Sequence, residues 1–254
     1  RNPGLALPLI ALQYHEVKII LEHSIGTIFT SPTNKLWADY IYLDTDERRR
    51  FAQVSHEYLI EQVQKESGAM STAQKLNFNH PVKALVWVSQ VTNAATASGL
   101  TTSATTIDAT LNTPGNALFV EKNDYFNYGS LAATNGTEII NGATSEEHFA
   151  TMKLQLNGHD RFAARKASYF RMCQPFQAGF KVPSKHIYCY SFALKPEEHQ
   201  PSGTCNFSRI DNAKMIFTQD TGFSAYTALT LTVYAVNYNV LRIMSGMGGL
   251  AYSN

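Results

Sequence analysis

The chain has 254 residues, 21 basic and 20 acidic side chains and a formal net charge of +1. That length allows one large domain or two small ones, and the balanced charge argues against a surface built to neutralise the phosphates of bare nucleic acid, where a basic excess is the rule. The longest strongly apolar stretch, Gly4 to Leu12, is broken by Pro8 and falls far short of the roughly 20 residues that cross a bilayer, so no transmembrane segment is expected.

From the amino terminus, the chain opens on Arg1 without a basic-then-apolar leader, which reads as a fragment or processed product and not a secretory precursor. Val17, Ile19 and Leu21 share one side of an alternating stretch and Glu16 and Lys18 the other, the period of a strand. Asp44 precedes Glu47 by three, a capping box that predicts a short helix over residues 46–53. Arg48, Arg49 and Arg50 in that helix would suit an anion, but Asp44, Asp46 and Glu47 adjoin them and a solvated helix face is the preferred reading.

Val82 to Val91 is apolar on both faces, as a central strand covered on each side should be. The tract from Val91 to Gly115 is rich in Thr, Ala and Ser and ends in Pro-Gly, the composition of an exposed loop. With the segment to Thr151 it makes a long connection carrying a short strand or two near Ala117 to Val120, and long ordered loops on a rigid scaffold are where recognition sits. Met152, Leu154 and Leu156 then alternate with Lys153 and Gln155 up to Asn157-Gly158, the pair that best tolerates positive φ in a tight hairpin. Tyr188, Tyr190, Phe192 and Leu194 line one face of another strand, and Leu229, Leu231, Val233 and Ala235 begin a long one running toward Leu241. An all-β sandwich accounts for this pattern. Residues 1 to about 43 read as two strands detached from their sheet partners, and the capped helix opens a self-contained unit from Asp44 to Asn254. If Tyr190 or Phe192 is fully buried, truncation to Ala should cost about 3–5 kcal/mol.

Chemical motifs are sparse. Cys173, Cys189 and Cys205 are spaced sixteen apart without a CxxC pair and read as small core residues. His56-Glu57 lacks the second His that a zinc-binding helix requires. His159-Asp160 follows the Asn-Gly turn, where a solvated hairpin end explains both. The terminal Ser245-Gly246-Met247-Gly248-Gly249 lacks the Lys-Ser/Thr of a phosphate loop and reads as a flexible or closely packed turn. No Gly-x-Ser-x-Gly elbow occurs, and a Ser-His-Asp triad assembled from distant residues would leave no local motif. Asn135-Gly136-Thr137 and Asn206-Phe207-Ser208 fit the N-glycosylation pattern. Asn135 lies in the expected exposed loop and is the candidate acceptor, whereas Asn206 falls in strand-like sequence and reads as structural. No catalytic, cofactor-binding or metal-ligating residue is assigned, and no enzyme activity is expected.

Longer blocks carry more information: residues 2–19 (NPGLALPLIALQYHEVKI), 38–64 (ADYIYLDTDERRRFAQVSHEYLIEQVQ), 76–83 (LNFNHPVK), 154–170 (LQLNGHDRFAARKASYF), 190–213 (YSFALKPEEHQPSGTCNFSRIDNA) and 234–254 (YAVNYNVLRIMSGMGGLAYSN). Together they resemble the major capsid proteins of the nucleocytoplasmic large DNA viruses, most closely those of the algal-virus and related groups. The resemblance spans nearly the whole chain except the loops. It implies a jelly-roll β-sandwich, residues 1–43 being the last strands of a first jelly roll and 44–254 a second with a long outer loop at about 91–151. It further implies a homotrimeric, pseudo-hexagonal capsomer in an icosahedral virion shell assembled in the infected host cell. Neighbouring capsomers and minor capsid and vertex proteins are its implied partners, with outer loops available to the host surface, no direct nucleic-acid contact and no cofactor.

Two other classes compete. A carbohydrate-binding jelly-roll module shares the architecture, though the loop at 91–115 has no aromatic residue to stack on a sugar. A sandwich-fold hydrolase would need a cleft with a nucleophile and a base in contact.

Overall fold

The computed structural model describes residues 3–21, 35–91, 147–218 and 229–252. The expected loop, its short strand near Ala117 to Val120 and Asn135 fall outside the described residues. The chain divides into two compact units, Arg1–Ile60 with Asn239–Asn254, and Glu61–Tyr238.

One helix, α1 (Thr45–Gln53), precedes the strands. They are β1 (His56–Ala69), β2 (Ala73–Leu76), β3 (Pro81–Val91), β4 (Thr151–Leu156), β5 (His159–Asp160), β6 (Arg165–Lys166), β7 (Tyr188–Ser191), β8 (Cys205–Asn206), β9 (Ala213–Thr218), β10 (Leu229–Met244) and β11 (Met247–Leu250). One sheet runs β1-β10-β3-β7, with β11 on β10 and β8 on β3; the other runs β2-β9-β4-β5, with β6 on β4. The ladders of β10 with β11 and β3, of β3 with β7 and of β9 with β2 and β4 are antiparallel, as expected for an all-β sandwich.

Period-two alternation builds the core of the larger unit. Leu229, Leu231, Val233 and Ala235 of β10 are buried on one face and meet Leu85 and Trp87 of β3, Met152 and Leu154 of β4, and Met215 and Phe217 of β9 in one apolar cluster. Burial of this kind contributes roughly 25 cal/mol per Å² of apolar surface and is the main term holding such a sandwich. Aromatic rings fill the middle: Trp87 stacks on Tyr188 at 5.9 Å, and Phe149 lies 4.9 Å from Tyr188 and 5.0 Å from Phe217. The Asn157-Gly158 turn forms as expected, with φ of 50° and 85°, and closes the β4–β5 hairpin.

In the larger unit three expectations need correction. The strand at Tyr188 stops at Ser191, because Phe192 and Ala193 both donate their N–H groups to the carbonyl of Lys83 and turn the chain off the ladder; Leu194 is 80% exposed. Tyr190 and Phe192 are only half-buried, so the cost of losing a fully buried aromatic belongs to Trp87, Phe149, Phe170 and Tyr188. Cys173 is exposed and only Cys189 is buried.

A bulge between Val236 and Asn237 of β10 leaves Lys83 as the extra residue on β3. Its ammonium meets the Glu61 carboxylate at 2.5 Å and sits 5.3 Å from the centre of the Tyr238 ring. Asn237, fully buried, accepts from Gln64 at 3.1 Å, so the polar groups exposed by the bulge find partners inside the sheet.

In the smaller unit, α1 begins where expected. The Asp44 N–H donates to the Glu47 carboxylate at 3.4 Å, and acidic first-turn and basic last-turn residues complement the helix dipole. Residues 15–21 carry no strand, although Val17, Ile19 and Leu21 alternate as one; a strand exists only where another supplies ladder bonds, and these residues make none to a described strand. The terminal hairpin of β10 and β11 turns through Ser245 and Gly246, at φ of 56° and 82°. Tyr14 donates its N–H to the Gly246 carbonyl, and Gly248 donates to His15 Nδ1 at 3.0 Å. The glycine-rich end is therefore a closely packed turn.

Candidate functional site

The motif candidates resolve into structural parts. Arg48, Arg49 and Arg50 are exposed on α1, and Arg49 reaches Asp46 at 3.7 Å, the solvated face expected of them. His56 Nε2 lies 2.8 Å from the Phe51 carbonyl and Glu57 pairs with Arg242 at 2.7 Å. Asp160 takes a 2.8 Å bond from Lys153, which holds its carboxyl below the usual range. Asn206 accepts from the Ser208 N–H at 3.1 Å, and Ser208 Oγ in turn accepts from the His80 N–H at 2.8 Å; this links β8 to the start of β3, a structural role. Among the described residues no group of three or more His, Cys, Asp and Glu is placed to hold a metal. No described helix is long and apolar enough to cross a membrane.

Two contacts escaped the sequence reading. Ser89 on β3 and His148, just before β4, are both fully buried with Oγ and Nδ1 2.6 Å apart. A serine and an imidazole in contact are the first two parts of a nucleophilic site, but a substrate must reach the serine, and both side chains are sealed from solvent. Beside them Glu147 accepts from Arg171 Nε at 2.8 Å and from the Tyr188 hydroxyl, with His186 Nε2 3.8 Å away. Burial, reinforced by the Glu147 charge, pushes the Tyr188 phenol well above its ordinary value. Glu147, His148 and Phe149 are thus pinned to the sandwich where the chain returns from residues 92–146, and Ser89 holds the departing strand beside it. Sequence separations of 24 to 59 residues between the partners left no local signal.

The exposed surface is the other notable feature. In the smaller unit Ile19, Ile20, Trp37 and Tyr42 are 70%, 84%, 87% and 91% exposed, an apolar display that usually marks a contact surface.

Residues 47–249 match the family described as large eukaryotic DNA virus major capsid protein. The chain belongs to that family. It is 45% identical to the major capsid protein of Pyramimonas orientalis virus and 44% identical to that of Paramecium bursaria Chlorella virus 1, in both cases over 100% of this chain. The matches cover 59% and 64% of those relatives, so the chain spans about three fifths of their length. A quasi-atomic structure of the PBCV-1 virus capsid superposes with a TM-score of 0.65 at 38% identity, covering 100% of this chain and 68% of that one. The sandwich is therefore of the capsid jelly-roll kind, and the carbohydrate-binding alternative is not supported.

Proposed function

We propose that this chain is part of a major capsid protein that builds the icosahedral virion shell of a large DNA virus, by self-assembly and without a reaction or cofactor. The observation that carries the reading is the family match over residues 47–249 together with 45% identity to a viral major capsid protein. Three copies of the full-length subunit form a pseudo-hexagonal capsomer, and neighbouring capsomers and minor capsid and vertex proteins complete the shell in the infected host cell.

Within the subunit, residues 1–43 are the closing strands of a first jelly roll and 44–254 form the second. The exposed Ile19, Ile20, Trp37 and Tyr42 and the alternating but unladdered residues 15–21 support this, since strands separated from their sheet leave apolar side chains in solvent. Asn135, in the Asn135-Gly136-Thr137 sequon, is the proposed glycan acceptor, checked by mass spectrometry of its peptide from virions.

The test is the light-scattering mass, on size exclusion, of the full-length product of the gene encoding this segment. A trimer of subunits roughly one and a half to two times this length is expected; a monomer no longer than this chain would overturn the reading.

A further inference from the structure

The outward face of the sheet containing β4 and β9 carries three lysines that no carboxylate among the described residues answers. On β9, Lys214, Ile216 and Thr218 alternate with buried Ala213, Met215 and Phe217, so the first set points away from the core. Register then fills in the face, because residues directly opposite in an antiparallel ladder lie on the same side. Lys75 of β2 stands opposite Lys214, and Gln155 of β4 stands opposite Lys214 from the other flank. One row along, Ile216 lies between Ala73 and Lys153, and one row further Thr151 lies between Thr218 and Lys166 of β6. Among the described residues the acid on this face is Asp160, opposite Gln155, and Lys153 already holds it at 2.8 Å. Among the described residues Lys75, Lys166 and Lys214 make no ion pair.

Like charges directly opposite on neighbouring strands destabilise the sheet that bears them. Lys75 and Lys214 are such a pair, in a chain where only 16% of residues are charged. Carboxylates arriving from outside would turn that repulsion into attraction. We propose that this face docks the acidic surface of another protein of the shell, whose carboxylates meet Lys75, Lys214 and Lys166 around an apolar contact at Ile216. The proposal rests on the shell reading above.

The chemistry of the face selects a protein over other polyanions. Ala73, Thr151 and Thr218 bring only short side chains around the apolar Ile216, a centre that a folded surface can cover while its polar rim meets the lysines. No aromatic side chain stands among these positions for a base to stack on, and no large aromatic or leucine is present to enter a lipid headgroup layer.

The experiment compares the full-length protein with its Lys214→Glu and Lys214→Gln variants. Lys214→Glu places a carboxylate opposite Lys75, so the urea midpoint of the isolated protein should hold or rise, while association into particles weakens about tenfold or more. Lys214→Gln should show a smaller loss of association. Association of the parent should weaken as salt rises from about 0.1 M to about 1 M and the screening length falls from about 10 Å to about 3 Å. Carbodiimide cross-linking of intact particles should join Lys75 or Lys214 to Asp or Glu of another polypeptide. The proposal is overturned if both variants assemble like the parent, if no cross-link to another polypeptide leaves this face, or if nuclease or delipidation abolishes the association. A full-length parent that never assembles would instead sink the shell reading itself, which keeps the two failures apart.

Discussion

Replacing Glu147 with Ala removes the acceptor that serves two partners at once. The Arg171 and Glu147 side chains are about one-fifth exposed, at 20% and 19%, and Tyr188 is fully buried. Without the carboxylate, a largely buried guanidinium and a buried hydroxyl lose their partner together. Breaking a buried pair from one side costs about 3–5 kcal/mol, and the partial exposure of Arg171 lowers the expectation to about 3–4 kcal/mol. Tyr188→Phe is the milder cut. It deletes the hydroxyl but leaves Glu147 bound to Arg171 and partly hydrated, so about 1–1.5 kcal/mol is expected.

The two variants also differ at high pH. The Tyr188 phenol is raised well above 10.0, first by burial and then by the Glu147 charge. The folded protein therefore holds that proton more tightly than the unfolded chain. The associated stability is complete below the unfolded value near 10 and is lost as pH rises through the raised folded value. Tyr188→Phe should be less stable than the parent at neutral pH and should lose stability less steeply above pH 10. Urea midpoints from neutral to alkaline pH measure both effects. The reasoning fails if Glu147→Ala costs no more than Tyr188→Phe, or if Tyr188→Phe keeps the parent's alkaline slope.

Phe149→Ala should cost about 3–5 kcal/mol, because a fully buried ring between Tyr188 and Phe217 leaves a cavity, whereas Leu194→Ala, at a residue 80% exposed, should stay within about 0.5 kcal/mol; chemical denaturation ranks them. Gly203→Ala should destabilise more than Gly246→Ala, by thermal melting: both sit at positive φ, but the added Cβ at Gly203 meets the Phe192 carbonyl oxygen at 2.9 Å while that at Gly246 meets the exposed Tyr14 ring, which can swing away. Thiol alkylation at neutral pH should modify Cys173 fast and Cys189 only after unfolding, since burial pushes the Cys189 thiol up to about 12; equal rates would contradict the buried placement.

The parts legible in the amino-acid order are those set by neighbours a few residues apart. Alternation at Leu229 to Ala235 and at Met152 to Leu154 places those side chains on the buried face of β10 and β4. The Asn157-Gly158 turn and the Asp44 cap formed where their chemistry put them. The long blocks at 38–64, 154–170 and 190–213 carried the family, because many residues must agree at once for such a match. What local order could not reach were features needing a partner from elsewhere in the chain. Val17, Ile19 and Leu21 alternate like a strand but make no ladder with a described strand, and the strand at Tyr188 ends early because the Lys83 carbonyl, about a hundred residues away, takes the next two N–H groups.

The Glu147 pin and the lysine face belong to the same class. Nothing in the sequence near Glu147 announces Arg171 or Tyr188, and Lys75 and Lys214 become a like-charged pair only through the register of β2 on β9. Sequence by itself determined which residues favour strand, turn and helix, and to which family of sandwiches they belong. Tertiary structure alone decided which buried charges meet and which exposed ones stay unanswered, because ladder register and loop closure depend on the whole chain and act across separations that local patterns do not encode.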